Sequence, residues 1–207
     1  MVANVLSPIG AWDGNEYAAG MTGTKIWSTP IASQTPNCSG GQIFGVVSTA
    51  TVADVTINGT STSVVYVGGR DPSLKLASVY ALDAASSAII WKAPLSSSTG
   101  GFSWSSPAVY NGSAYIGLAS VDDCPLVRGA LPQLDAVTGK FIWQDCLKDG
   151  GVLGPVSAVS GVVFVSEGSH LLAMSAATGK ILLKLHNGCR YPGRCVYFKR
   201  SPLFRKQ

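Results

Sequence analysis

The sequence predicts an all-β fold, a β-propeller of four-stranded antiparallel blades. Three observations predict it: a turn peptide that recurs along the chain, a second hairpin between its copies, and the absence of any stretch with the apolar period of a helix. Charged residues make up 13% of the 207, about half the roughly 25% usual in soluble domains, while 24 residues are glycine and 46% are hydrophobic. That balance excludes a disordered chain, a coiled coil and a charged helical bundle.

The turn peptide is fullest at Leu134-Asp135-Ala136-Val137-Thr138-Gly139-Lys140-Phe141-Ile142-Trp143. Tyr80 to Trp91 matches it, with Asp83 at the acid and Ser86-Ser87 in place of Thr-Gly. A third copy runs from Leu172 to Leu183, with Leu183 in place of the closing tryptophan, and a worn first copy ends at Trp27 with Ala19 where the acid belongs. The closing residues at 27, 91, 143 and 183 lie 64, 52 and 40 residues apart, approaching the length of one propeller blade.

Each copy reads as a strand, a tight turn and a strand. The short carboxylates of Asp83 and Asp135 can accept from N–H groups two or three residues on and so fix a turn. Gly139 and Gly179 supply the positive φ needed for the chain to reverse. Trp27, Trp91 and Trp143 then bury a large ring against the next unit.

Between the copies lies the second hairpin. Pro107 to Tyr110, Asn111-Gly112 and Ser113 to Gly117 form the clearest example, because Asn-Gly favours a two-residue hairpin loop. Pro155 to Val159, Ser160-Gly161 and Val162 to Val165 repeat it, as do Val52 to Ile57, Asn58-Gly59 and Val64 to Gly68 with a longer loop. The aromatic residues of the returning strands, Tyr66, Tyr115 and Phe164, are spaced 49 residues apart. A β-sandwich requires neither a repeated turn peptide nor a repeated closing tryptophan, so four strands per unit specify propeller blades. The expected units are the end of a first partial blade at 1–27, a blade with a long insertion at 28–91, blades at 92–143 and 144–185, and a poorly packed basic tail at 186–207.

The Leu-Asp-Ala-x-Thr-Gly-x-x-x-Trp pattern at Leu134 to Trp143, and its weaker form at Leu82 to Trp91, resembles the repeat of the pyrroloquinoline quinone (PQQ) type β-propellers. The resemblance covers roughly residues 16–185, and the insert Val121 to Gly129 looks like a loop of secreted members of that family. It implies one of two activities. Some members are quinoprotein dehydrogenases that oxidise alcohols or sugars with PQQ and calcium on the propeller axis; others carry the same repeats without a cofactor and scaffold or bind partners. Such propellers close with seven or eight blades of roughly 40 to 50 residues, so 207 residues describe an open arc whose strand edges would allow self-association.

The chemistry of a quinoprotein site has no clear carrier. The alcohol dehydrogenases of the family hold an adjacent cysteine pair beside the quinone, and no two cysteines are neighbours here. Calcium takes six to eight oxygen ligands, and the only acidic pair, Asp122-Asp123, lacks the spacing of a calcium loop. Trp104 is outside the closing register; channel-facing and loop-packing roles are both open, and packing is expected. His170 and His186 read as surface polar residues, and no nucleophile elbow, phosphate loop or zinc spacing is present. No cofactor and no metal is expected.

Cys124 and Cys146 flank one copy of the turn peptide, which suggests a disulfide and an oxidising compartment; Cys38 is left without a partner, and Cys189 and Cys195 belong to the tail. The net charge of +4 arises in that tail, where Arg190, Arg194, Lys199, Arg200, Arg205 and Lys206 contribute +6 and leave residues 1–189 slightly acidic. No nucleic-acid partner follows from such a body. No apolar run approaches the roughly 18 to 20 residues of a membrane span, and no signal peptide is visible at Met1 to Asn4. The expected protein is an exported, non-catalytic ligand- or protein-binding scaffold. The alternatives are part of a PQQ-dependent dehydrogenase or a truncated piece without function of its own.

Overall fold

The computed structural model describes residues 7–36, 40–123 and 125–186. In chain order the strands are β1 (Ser7–Gly10), β2 (Asn15–Ala19), β3 (Lys25–Pro30), β4 (Thr35–Pro36), β5 (Ile43–Phe44), β6 (Thr51–Ile57), β7 (Thr60–Arg70), β8 (Ala77–Asp83), β9 (Ile89–Pro94) and β10 (Gly101–Phe102). They continue with β11 (Ala108–Tyr110), β12 (Ser113–Tyr115), β13 (Ala119–Ser120), β14 (Ala130–Asp135), β15 (Phe141–Cys146), β16 (Ser157–Val159), β17 (Val162–Glu167), β18 (His170–Ser175) and β19 (Ile181–His186). Among the described residues there is no helix, and so none long and apolar enough to cross a membrane.

Three four-stranded antiparallel sheets follow one another, β6 to β9, β11-β12-β14-β15 and β16 to β19, after a three-stranded sheet β1-β2-β3. The pairs β4-β5 and β10-β13 lie in the connections. The sheets are the blades of a propeller that does not close. The first strands of successive blades sit beside one another, β6 by β11 and β11 by β16, which places them toward the common axis.

The turn peptide folds as its chemistry dictates. Asp83 Oδ1 accepts from the N–H groups of Ala85 and Ser86 and from the Ser86 hydroxyl; Asp135 Oδ1 accepts from Val137, Thr138 and the Thr138 hydroxyl. The following residue closes the turn onto the carbonyl of the first, Ser87 to Asp83, Gly139 to Asp135 and Gly179 to Ser175. Gly139 and Gly179 have φ of 70° and 71°, and Ser87 holds the same left-handed conformation at 62° despite its side chain. A register shift of one residue precedes the turn in every blade, at Ala18/Ala19, Ala81/Leu82, Gln133/Leu134 and Ala173/Met174. The hairpins at Asn58-Gly59, Asn111-Gly112 and Ser160-Gly161 all turn through positive φ.

The core lies between blades. Ala18, Trp27, Val65, Val67 and Tyr80 fill the first interface; Val64, Tyr66, Trp91, Ile116 and Leu134 the second; Tyr115, Leu131, Val163, Leu172 and Met174 the third. β7 sends Val65 and Val67 to one neighbour and Val64 and Tyr66 to the other. It is buried on both faces, so it reads as a continuous apolar run instead of an alternation.

The closing tryptophans lock each interface. Trp27 Nε1 donates to the Ala84 carbonyl of the next blade at 2.8 Å, Trp91 to Ala136 at 3.0 Å and Trp143 to Ala176 at 3.1 Å. Tyr66 and Tyr115 donate to the same two carbonyls, Ala136 and Ala176, at 2.9 and 3.3 Å. The indole of Trp91 lies flush against Gly139, where a Cβ would come within 2.5 Å of the ring, and that of Trp143 lies likewise on Gly179. In the fourth blade Phe164 and Leu183 occupy the donor positions, and every residue of β19 is exposed.

Candidate functional site

Strand direction divides the molecule into two ends. The hairpins and the Asp-Ala turns share one end, tied together by bonds such as Ala136 N to Gly112 O and Ala176 N to Gly161 O. This end is given over to holding blades together. The connections from the fourth strand of one blade to the first of the next, and from second to third strand within a blade, emerge at the other end. There the polar, aromatic and concave features collect, as loops on a rigid scaffold commonly do.

Near the second blade, Asp71 is buried and receives the Lys92 ammonium at 2.5 Å, the Tyr80 hydroxyl at 3.3 Å and the N–H groups of Ser73 and Leu74. Burial alone would raise the Asp71 carboxyl, but the bonds from Lys92, Leu74 and Ser73 outweigh it and hold it at about 2. Arg70 ties two connections together, donating to the Ser33 hydroxyl at 2.8 Å and the Thr99 carbonyl at 3.0 Å. On β2, Glu16 is wholly buried with neither carboxylate oxygen hydrogen-bonded, and desolvation pushes it up to about 8.

Trp104 packs in an aromatic group from three connections. Its ring meets Phe44 and Phe102 at 4.9 Å each, Trp12 stands edge-on to Phe44, and Trp104 Nε1 donates to the Ser120 carbonyl at 2.8 Å. A cleft of about 720 Å³ opens between the second and third blades, lined by Leu95, Ser96, Ser98, Leu126, Arg128 and Cys146 among others. It is open to solvent instead of enclosed, with an apolar wall and a few polar groups. Cys146 is exposed; Cys124, the partner expected for it, lies outside the described residues, as do Cys38, Cys189, Cys195 and the basic tail.

The fourth blade carries the densest polar cluster. Lys184 Nζ donates to Asp149 and, at 3.1 Å, to the buried carboxylate of Glu167, whose other oxygen accepts from the Asp149 N–H at 2.8 Å. The bond from Lys184 holds Asp149 below the usual carboxylate range, and the two carboxylates raise Lys184. His170 stands 3.6 Å from Asp149 and meets His186 at a tilt, with ring centroids 4.9 Å apart. These two histidines, read from the sequence as isolated surface residues, are neighbours because β18 and β19 pair His170 with His186.

The structure places Trp27, Asp83, Trp91, Asp135, Gly139, Trp143 and Gly179 at the blade interfaces and the turns beside them. The family described as outer membrane protein assembly factor BamB matches residues 75–188, more than half of the sequence. The chain belongs to this family. Within the PQQ-like propellers it overlays a quinohaemoprotein alcohol dehydrogenase from Comamonas testosteroni with a TM-score of 0.63 at 16% identity, covering 90% of this chain and 34% of that one. The quinohaemoprotein alcohol dehydrogenase ADHIIG from Pseudomonas putida HK5 gives 0.66 at 17% identity, covering 90% and 33%; BamB from Moraxella catarrhalis gives 0.48 at 17%, covering 90% and 62%. The chain therefore spans about a third of the length of the dehydrogenases it matches, and the likeness is one of fold. No curated protein matches it.

Among the described residues, no set of side chains fits PQQ with calcium. Asp122 and Asp123 sit on an exposed loop, both at φ of 53°. The buried carboxylates Asp71 and Glu167 are each matched to a lysine, and the one described group of three converging ligand side chains includes an imidazole, where calcium asks for oxygens. Trp104 is held among other aromatic rings, with its indole N–H already bonded to Ser120.

Proposed function

We propose that the chain is an exported PQQ-like propeller protein whose loop end binds a ligand or a protein without catalysing its conversion. One observation carries this reading: two of the buried carboxylates of that end are each paired with a lysine, Asp71 with Lys92 and Glu167 with Lys184, and an open cleft of mixed apolar and hydroxyl character is present. A general acid or base must reach a substrate proton, and these groups are already spent on fixing loops. A disulfide between Cys124 and Cys146 is part of the proposal and ties it to an oxidising compartment.

The fold overlap with two dehydrogenases favours a second reading, part of a PQQ-dependent enzyme oxidising alcohols or sugars. Purified protein supplied with PQQ and calcium, then assayed for alcohol- or sugar-dependent dye reduction, separates the two. The scaffold reading expects no turnover above protein-free controls, and substrate-dependent reduction would overturn it.

A further inference from the structure

Asp149, Glu167 and His170 come from three different elements, the connection after β15, the end of β17 and the start of β18, yet their ligand atoms all lie within 4.8 Å of one another. The second blade shows what a purely structural version looks like. Lys92 and Lys184 occupy the same repeat position, directly after the closing Trp91 or Leu183. In the second blade, one lysine meets one buried carboxylate. In the fourth, one lysine meets two carboxylates, leaving one negative charge over, and an imidazole has been added.

That imidazole is oriented in the way metal-binding histidines are. Its Nε2 is engaged by His186 Nδ1 at 3.3 Å, while its Nδ1 is buried, makes no hydrogen bond and faces the Asp149 carboxylate. A ligating histidine holds its ring by the nitrogen that does not bind the metal. Lys184 is a third exposed, so its ammonium can swing into solvent and leave its place between the carboxylates.

We propose that Asp149, Glu167 and His170 form a site for a divalent transition metal of the zinc class, with the Lys184 ammonium as the exchangeable cation that occupies it otherwise. Two carboxylate oxygens and one imidazole nitrogen make a three-ligand set that suits zinc, with water as the fourth ligand, and suits calcium poorly. Zinc bonds of about 2.0 to 2.2 Å require the three ligand atoms to draw together by on the order of 1 Å, which two partly exposed side chains around one buried anchor can supply. The site does not depend on what the cleft binds.

Zinc titrated into tag-free full-length chain whose free thiols have been alkylated, in competition with a chromophoric chelator, tests the proposal. One zinc per chain is expected. His170→Ala should weaken binding at least tenfold and Glu167→Gln comparably, while Lys184→Met should tighten it at least threefold by removing the competing cation. A hundredfold excess of calcium should leave zinc bound. Circular dichroism and melting confirm that each variant is folded; the partly exposed His170 makes its alanine variant the deciding one. Absence of stoichiometric zinc, or equal affinity in the parent and His170→Ala, overturns the site. Lys184→Met binding no tighter than the parent overturns the exchange.

Discussion

Replacing Gly139 by alanine should destabilise the chain through two separable effects. Gly139 lies at φ +70°, where an L side chain costs about 1–2 kcal/mol, and its new Cβ would come within 2.5 Å of the Trp91 ring. Because that ring is buried between blades and held by its bond to Ala136, it cannot simply step aside, and overpacking of this kind costs about 1–3 kcal/mol. Gly112 is the control: its φ is +74° but a Cβ there meets nothing within 4 Å. Urea unfolding followed by tryptophan fluorescence and far-ultraviolet circular dichroism should therefore give roughly 1–2 kcal/mol for Gly112→Ala and about 2–5 kcal/mol for Gly139→Ala. Trp91→Leu, which copies the residue nature places at 183, should relieve the second effect, so the two changes at 139 and 91 should show a coupling of about 1 kcal/mol or more. Equal costs for the two glycines, or a Gly139→Ala cost unchanged in the leucine background, would refute the proposed lock.

The same reasoning makes Ser87→Gly stabilising by about 0.5–1 kcal/mol, since Ser87 holds a positive φ that glycine adopts freely, and the urea midpoint should rise. Glu16 keeps its proton in the folded state up to about pH 8 but loses it near the usual carboxylate value when unfolded, so stability should fall as pH rises between those limits, by on the order of 4 kcal/mol; Glu16→Gln should flatten that slope in urea titrations from pH 4.5 to 8. Asp71 is depressed to about 2, so its contribution is present above the ordinary carboxylate range and is lost as pH falls from roughly 4 toward 2. Lys92→Met should cost about 1–3 kcal/mol at neutral pH, discounted for the half-exposed lysine, and should move the acid-unfolding midpoint upward.

The blades were legible because their determinants are local. Asp135, Thr138 and Gly139 act on one another within five residues, and Asn111-Gly112 sets its own hairpin, so a single peptide carries both the signal and its cause. The interblade role of Trp91 was readable from its recurrence, although its acceptor, 45 residues away at Ala136, was not. The polar clusters were illegible for the opposite reason. Asp149, Glu167, His170 and Lys184 meet only after β17, β18 and β19 have paired, and no spacing announces a cluster assembled from non-repeating positions. Trp104 was correctly expected to pack, yet its partners Phe44 and Phe102 lie in unrelated connections and carry no common motif.

The indole and phenol bonds between blades all point one way. The first blade offers an indole donor, and the second and third an indole and a phenol, from the face toward the C-terminus, and each next blade receives them on one alanine carbonyl. Stacking is thus polar, like links that hook in only one sense: a blade docked in reverse would bury unpaired N–H and O–H groups at a cost of about 1–3 kcal/mol each. The sense of the hook ends at the fourth blade, which receives two donors and, with Phe164 and Leu183, passes none on. A further repeat docked on β18 and β19 would therefore form its junction without the indole and phenol hooks, which makes that junction chemically unlike the three before it.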